Sequence, residues 1–84
     1  MSEFAEKVLA VVKQIPEGKV MSYKEVAMEA GSPKAYQAVG NILNKNRDPD
    51  IPCHRVIRAN GRIGGYAFGE QNKIKILHNE GAIP

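Results

Sequence analysis

The sequence predicts a mainly helical fold, a small winged helix-turn-helix domain with a short β-hairpin. Apolar residues recur at helical spacing, a short glycine-containing connection joins two helical stretches, and an Asn-Gly pair separates two short apolar runs. With 84 residues, the chain has room for one domain over 1–84 and for a core of modest size.

The first helix is predicted over residues 3–15. Its apolar residues recur every three or four positions, and mostly polar residues fill the others, which is the pattern of an amphipathic helix. The apolar set is Phe4, Val8, Val11, Val12 and Ile15. Pro16-Glu17-Gly18 ends the helix, because proline lacks the N–H that a continuing helix needs.

A second and a third helix follow in close succession. Ser22-Tyr23-Lys24-Glu25 has the form of a capping box, which predicts a helix start, and Gly31 suits the position after the helix end. Ser32-Pro33 then supplies a cap and a first-turn proline for the third helix, which runs to about Lys45. The tight connection favours a helix-turn-helix over a plain helical hairpin in a small bundle.

A hairpin and a last helix complete the predicted fold. Asn60-Gly61 separates apolar runs at 56–59 and 62–64, and such a pair is a strong signal for a two-residue turn of type I′. This hairpin would form the wing. The last helix is predicted over 70–80, and Gly81 ends it.

Composition excludes several classes of function. The net charge of +3 permits nucleic-acid binding without requiring it. There is no apolar run of transmembrane length and no signal-peptide layout, so we expect no membrane association. A single cysteine indicates a reducing, intracellular compartment, cytoplasmic (nucleoid) or nuclear. Soft metal ligands are too few for a zinc site and no glycine-rich phosphate loop is present, so we expect neither metal nor cofactor.

The thiol of Cys53 is the most reactive group in the sequence. It directly follows Pro52 and directly precedes His54 and Arg55. A thiol attacks as the thiolate, and neighbouring cations lower its pKa, while the proline stiffens the chain that leads to it. The pattern predicts a nucleophile; the alternative is a buried cysteine that acts as a small hydrophobic side chain.

A set of motifs in fixed order carries a family resemblance. The motifs are Ser22-Tyr23, Pro33-Lys34-Ala35, Ala38-Val39-Gly40, Asn46, Pro52-Cys53-His54-Arg55-Val56, Gly61, Gly64-Gly65-Tyr66, Lys73 and Glu80-Gly81. Together they resemble the O6-alkylguanine-DNA alkyltransferase family over residues 4–81. The resemblance covers only the family's C-terminal, active-site domain, and its usual N-terminal domain has no counterpart here.

The resemblance implies a reaction in which the protein is used once. Cys53 would accept the O6-alkyl group of a guanine flipped out of double-stranded DNA, and His54 would take the thiol proton through a water. Glu80 would hold the imidazole, Tyr23 would donate to the leaving guanine, and Asn46 would brace the turn before the cysteine. The ordinary alternatives are a solvated carboxylate for Glu80, a packed ring for Tyr23 and a helix C-cap for Asn46. The protein would act as a monomer.

The resemblance also assigns pocket and DNA-binding residues. Tyr66, Val56 and Gly65 would shape the alkyl pocket, and Phe68 would narrow it, because the family often has glycine there. The third helix would enter the minor groove, where small side chains suit a narrow space. The assigned DNA-binding residues are Lys34, Ala35, Tyr36, Gln37, Ala38, Gly40 and Arg55.

Departures from the family pattern leave two alternatives open. Gln37 stands where the family usually has an arginine that fills the space of the flipped base, and Tyr36 could stack there instead. The loop from Asn46 to Cys53 is short and acidic. An alkyltransferase-like sensor would bind the lesion without transfer and recruit excision-repair proteins. A winged helix without lesion chemistry would leave Cys53, His54 and Glu80 unexplained.

Overall fold

The architecture is a three-helix core followed by a 3₁₀ turn and a fourth helix, in a computed structural model that describes residues 2–64 and 68–83. The elements in chain order are α1 (Glu3–Lys13), β1 (Met21–Ser22), α2 (Tyr23–Glu29), α3 (Tyr36–Lys45), the 3₁₀ turn (Cys53–Arg55), β2 (Val56–Ile57) and α4 (Glu70–Asn79). The prediction of a mainly helical domain is confirmed. Among the described residues, no helix is both long enough and apolar enough to cross a bilayer.

The first two helices begin as their capping residues predict. Ser2 caps α1 by accepting a hydrogen bond from the Ala5 N–H at 3.1 Å. At α2 the capping box is complete, because the Ser22 hydroxyl accepts from the Glu25 N–H and the Glu25 carboxylate accepts from the Ser22 N–H, both at 3.0 Å. Both caps satisfy N–H groups that have no partner inside the helix. The predicted start of α2 is therefore confirmed.

The third helix begins three residues later than its sequence signals indicate. The Ser32 N–H donates to the Ala27 carbonyl at 2.9 Å and completes the end of α2, so Ser32 does not cap α3. The Ala35 N–H then donates to the Ser32 carbonyl at 2.9 Å and closes a turn. The prediction that Pro33 begins the helix is wrong, and α3 starts at Tyr36 with Ala35 at its N-cap.

The core joins the three helices to the segment around the cysteine. One apolar cluster contains residues from α1, α2, α3, the 3₁₀ turn and β2. Its buried members are Val8, Val12, Ile15, Val26, Ala27, Ala30, Val39, Leu43, Cys53 and Val56. Because the cysteine is packed in this cluster, the helices determine where its thiol lies.

The strand pairing differs from the predicted hairpin. Met21 and Ser22 pair in parallel with Val56 and Ile57, so two segments distant in sequence form the sheet. Residues 58–62 form a turn, in which the Arg58 N–H donates to the Arg62 carbonyl at 2.8 Å. Gly61 has a φ of +86°, but no described residue other than glycine has a positive φ. A type I′ turn needs positive φ at both central residues, so that prediction is wrong.

Candidate active site

The 3₁₀ turn presents Cys53 at its first residue. The Cys53 N–H donates to the Ile51 carbonyl at 2.8 Å, and the Arg55 N–H donates to the Pro52 carbonyl at 3.0 Å. The residue before the turn is Pro52, which has no N–H of its own and whose φ is restricted. Cys53 is only 7% exposed, so its thiol lies in a largely desolvated place.

Asn46 connects the end of α3 to the cysteine. It is the C-cap residue of α3, and its extended backbone turns the chain away from the helix. Its side-chain amide Nδ2 donates to Cys53 Sγ at 3.1 Å. The loop between them is tightened by a bond of 3.2 Å from the Ile51 N–H to the Asp48 carbonyl. The cap and the sulfur contact are therefore two roles of one residue.

Burial raises the pKa of the Cys53 thiol, and this effect is larger than those that oppose it. The amide of Asn46 and the positive charge of Lys73 lower the pKa, whereas Asp48 raises it. The sequence neighbours His54 and Arg55 were expected to lower this pKa. Both of these side chains bind a carboxylate of another element.

That carboxylate belongs to Glu80, the C-cap residue of α4. His54 Nε2 lies 3.1 Å from Glu80 Oε2, and Arg55 donates from Nε to Oε1 at 3.0 Å and from Nη2 to Oε2 at 2.7 Å. Arg55 also donates from Nη1 to the Ile15 carbonyl at 2.8 Å. The Arg55 guanidinium, followed by His54, holds the pKa of Glu80 below its usual value. Arg55 was assigned to DNA contact, and these three hydrogen bonds engage it inside the fold.

Lys73 is a site residue that was absent from the predicted site. It is fully buried in α4, its Nζ donates to the Val56 carbonyl, and it lies 5.6 Å from the centre of the Tyr23 ring. Burial lowers its pKa to about 8, while the nearby Cys53 acts in the opposite direction. The signal in the sequence is that Lys73 shares the apolar face of the last helix with Leu77, four residues on.

Tyr23 stands at the start of α2 with its ring held on two sides. Burial raises the pKa of its hydroxyl, and Arg58 opposes that rise. Gly64, with a φ of +77°, packs so closely that a Cβ there would lie 3.1 Å from the Tyr23 hydroxyl and 3.3 Å from Arg58 Cγ. The absence of a side chain at Gly64 therefore leaves room for the tyrosine.

A groove of about 730 Å³ runs between α3 and the turn at 58–60. It contains several predicted site residues, together with others that sequence reasoning missed. Its lining is Tyr23, Lys24, Tyr36, Gln37, Gly40, Asn41, Asn44, Arg58, Ala59 and Asn60. Lys34 and Ala35 line a separate hollow with Ser32 and Pro33, and Ala38 is partly buried on α3. Five of the assigned DNA-binding residues thus line two separate hollows, and Ala38 and Arg55 line neither.

The predicted alkyl-pocket residues have different positions. Val56 is fully buried in β2, next to the Lys73 ammonium. Phe68 is 50% exposed, and the Arg47 guanidinium lies 5.5 Å from the centre of its ring. Gly65 and Tyr66 lie outside the described residues.

In the ranges 2–64 and 68–83, no group of three or more histidine, cysteine or acidic side chains could hold a metal ion.

Comparison with known sequences identifies relatives of this site. The chain matches the family described as "6-O-methylguanine DNA methyltransferase, DNA binding domain" over residues 3–82. It is 45% identical over 84 residues to a methylated-DNA–protein-cysteine methyltransferase of Methanosarcina acetivorans, covering 96% of this chain and 53% of the relative. It is 48% identical over 77 residues to the Rattus norvegicus protein of the same name, covering 89% and 35%. The chain thus spans about half the length of these relatives or less.

Solved structures give the same result. The Mycobacterium tuberculosis OGT in complex with DNA superimposes with a TM-score of 0.91 at 36% identity, covering 98% of this chain and 52% of that one. The S. pombe Atl1 in complex with damaged DNA containing O6-carboxymethylguanine superimposes with a TM-score of 0.87 at 36% identity, covering 96% and 78%. The resemblance read from the sequence is confirmed: the chain belongs to the 6-O-methylguanine DNA methyltransferase family and carries its DNA-binding domain.

Proposed function

We propose that this protein repairs O6-alkylguanine in double-stranded DNA by transferring the alkyl group to its own Cys53. The observation that carries the proposal is the contact of 3.1 Å between Asn46 Nδ2 and Cys53 Sγ, next to a His54–Glu80 pair at 3.1 Å. A thiol with a donor on its sulfur, followed by a histidine that is paired with a carboxylate, is typical of an activated nucleophile.

The reaction balances with the residues of this site. The Cys53 thiol loses its proton to His54 through a water, and Glu80 compensates the charge of the imidazolium. A sulfur electron pair then attacks the alkyl carbon and the carbon–O6 bond breaks, which leaves its electrons on the guanine. Tyr23 donates its proton to a guanine ring nitrogen and regains one from solvent, and His54 releases the thiol proton to solvent, so the protons balance. The thioether on Cys53 is stable, so each molecule reacts once.

We propose the groove beside α3 as the DNA-binding site. Lys24 and Arg58 supply positive charge there for phosphates, while Gly40 leaves α3 thin on the side that faces the groove. We place α3 in the minor groove, with the alkylated guanine flipped toward Cys53. Unpairing the base costs a few kcal/mol, and the cost is lower for a damaged base.

A lesion sensor is the second candidate. It is favoured by the likeness to S. pombe Atl1, of which the chain covers 78%, and by the uncharged Gln37. In that case the protein would bind O6-alkylguanine DNA, leave it unchanged and recruit excision-repair proteins. The hydrogen bond from the Asn46 side-chain amide to the Cys53 sulfur favours transfer, because a sensor needs no group that stabilises a thiolate.

Intact mass spectrometry distinguishes the two candidates. We expect the protein to gain one methyl group after incubation with a duplex that contains one O6-methylguanine, and the gain should map to the Cys53 peptide. The Cys53→Ala variant should bind the same duplex in a gel shift without any gain of mass. Specific binding by the natural chain without a gain of mass would establish the sensor instead.

A further inference from the structure

One face of α3 carries three side-chain amides that take no part in the proton and alkyl transfers proposed above. Gln37, Asn41 and Asn44 are exposed and line the groove together. Their spacing of four and three residues places them on the same side of the helix. None of the three side chains has a hydrogen-bond partner among the described residues. We call this set the amide row.

The rest of the groove indicates what kind of ligand the amide row faces. Its described lining contains the cations Lys24 and Arg58 and no carboxylate. The phenol of Tyr23 and the ring of Tyr36 add flat surfaces, and Tyr36 is 47% exposed. A groove with cations at its edge, free amides along its wall and exposed aromatic surface suits a nucleic acid that presents both phosphates and base edges.

We propose that the amide row reads base edges in the minor groove and makes this protein bind G·C pairs more tightly than pairs that lack the guanine amino group. This inference rests on the proposed function, which gives the groove beside α3 as the DNA-binding site. In the minor groove, A·T pairs present only acceptors, whereas G·C pairs add the N2 amino donor. A side-chain amide both donates and accepts, while lysine and arginine only donate. Amides at these positions therefore match the minor-groove pattern of G·C pairs. Lysine or arginine at the same positions would not distinguish G·C from A·T pairs.

The length of the row fits several consecutive pairs. From Gln37 to Asn44 the helix rises about 10 Å, at 1.5 Å per residue. This is close to three base steps of roughly 3.4 Å each. The row can therefore contact more than one pair, so a preference would extend to the pairs that flank a lesion.

The test measures binding to lesion-free duplexes by fluorescence anisotropy, so that it does not depend on alkyl transfer. Three duplexes of equal length are compared, made of alternating G·C, I·C or A·T pairs. Inosine lacks only the minor-groove N2 amino group, and I·C and A·T share one minor-groove pattern but differ in the major groove. We expect the natural chain to bind G·C tighter by on the order of fivefold, as one net hydrogen bond allows, and to bind I·C and A·T equally.

Variants assign the preference to the amide row. We expect Asn41→Ala and Asn44→Ala to bring the ratio of the G·C and I·C affinities close to one, and Asn41→Lys to do the same while binding both duplexes at least as tightly. Asn79→Ala is the matched control, since Asn79 is an exposed asparagine on α4 away from the groove. It should leave the ratio unchanged.

The outcomes separate this inference from the proposed function. Equal affinity of the natural chain for G·C and I·C would overturn the inference, and so would a preference that persists in the alanine variants, because groove shape would then explain it. A difference in affinity between the I·C and A·T duplexes would mean that the protein reads base edges in the major groove, and this would overturn the inference as well. If alkyl transfer from O6-methylguanine still occurs, the proposed function stands in each case.

Discussion

The sulfur of Cys53 lies between groups that change its proton affinity in opposite directions. Burial disfavours the thiolate, while the Asn46 amide and the Lys73 charge favour it. The ammonium of Lys73 is itself buried, and burial lowers its pKa to about 8. A buried charge reduces stability unless other groups compensate it. At this site the charge of Lys73 favours the thiolate form of Cys53 inside a packed core.

We expect Lys73→Met to slow the reaction of Cys53 with iodoacetamide at neutral pH, because the substitution removes a positive charge that lowers the pKa of the thiol. Methionine has a similar length without the charge, so the melting temperature should stay the same or rise. Reactivity and stability would then change in different directions. If the role of Lys73 were purely structural, Lys73→Met would instead lower both the reactivity of Cys53 and the melting temperature. The matched control is Lys75→Met, because Lys75 is exposed on the same helix.

The pH dependence of stability gives a second reading of Lys73. Its pKa is about 8 in the folded chain and 10.5 ordinarily, so the unfolded chain binds more protons between those values. The free energy of unfolding of the natural chain should therefore rise, relative to Lys73→Met, as the pH increases from 8 to 10.5. Parallel curves for the two proteins in urea titrations over this range would contradict the assignment.

At the scale of elements, two helix ends build the site. Asn46 is the C-cap of α3 and Glu80 is the C-cap of α4. At α4 the Gly81 N–H donates to the His78 carbonyl at 3.1 Å and the Ala82 N–H to the Leu77 carbonyl at 3.0 Å, which stops the helix sharply. Helix lengths therefore set the positions of the sulfur donor and of the carboxylate.

The carboxylate of Glu80 should make the fold sensitive to acid. Its pKa is lowered in the folded chain, chiefly by Arg55, from an ordinary value of 4.5. The stability it contributes is therefore present above that ordinary value and is lost as the pH falls through the lowered one. We expect the difference in melting temperature between the natural chain and Glu80→Gln to be largest near pH 7 and to shrink below about pH 4.

Thermal melts followed by circular dichroism at several pH values test this expectation. Glu25→Gln serves as a control for a carboxylate in a helix cap, because the pair that Glu25 makes is exposed and local. A gap between the natural chain and Glu80→Gln that stays constant from pH 7 to pH 3 would show that the Arg55 and His54 contacts contribute nothing through charge.

At the scale of the whole molecule, the helices separate the chemistry from the binding surface. The thiol is packed in the core, whereas the groove lies between α3 and the turn at 58–60. The net charge of +3 is modest, so few phosphate contacts are expected. Binding should therefore depend on salt less steeply than in strongly basic DNA-binding proteins.

Arg58 should account for one of those phosphate contacts. We expect Arg58→Ala to reduce the slope of log affinity against log salt concentration by about 0.9, the value for one phosphate contact on duplex DNA. The control is Lys13→Ala, since Lys13 is an exposed cation on α1 outside the groove. An unchanged slope for Arg58→Ala would mean that its guanidinium meets no phosphate.

The sequence alone determined the helical character of the chain, the start of α2 and the family, and it predicts Cys53 as the nucleophile. The first two features depend on local spacing and capping residues, and the family and the cysteine prediction on short motifs whose order along the chain is fixed. Local signals also misled at α3, because Ser32 is already used by the end of α2. At Asn60-Gly61 the chain does form a turn, with the Arg58 N–H bonded to the Arg62 carbonyl, but Asn60 lacks the positive φ of a type I′ turn.

Only the tertiary structure decided which charges meet. Glu80 lies 26 residues from His54 and 25 from Arg55, and Lys73 lies 17 residues from the Val56 carbonyl. The sequence presented Arg55 as a neighbour of the thiol, and packing of α4 against the 3₁₀ turn pairs it with a carboxylate; its contact with DNA stays a prediction. Burial also reverses the expected direction of the Cys53 pKa. Desolvation and ion pairing depend on the three-dimensional surroundings of a group, which the order of residues does not display.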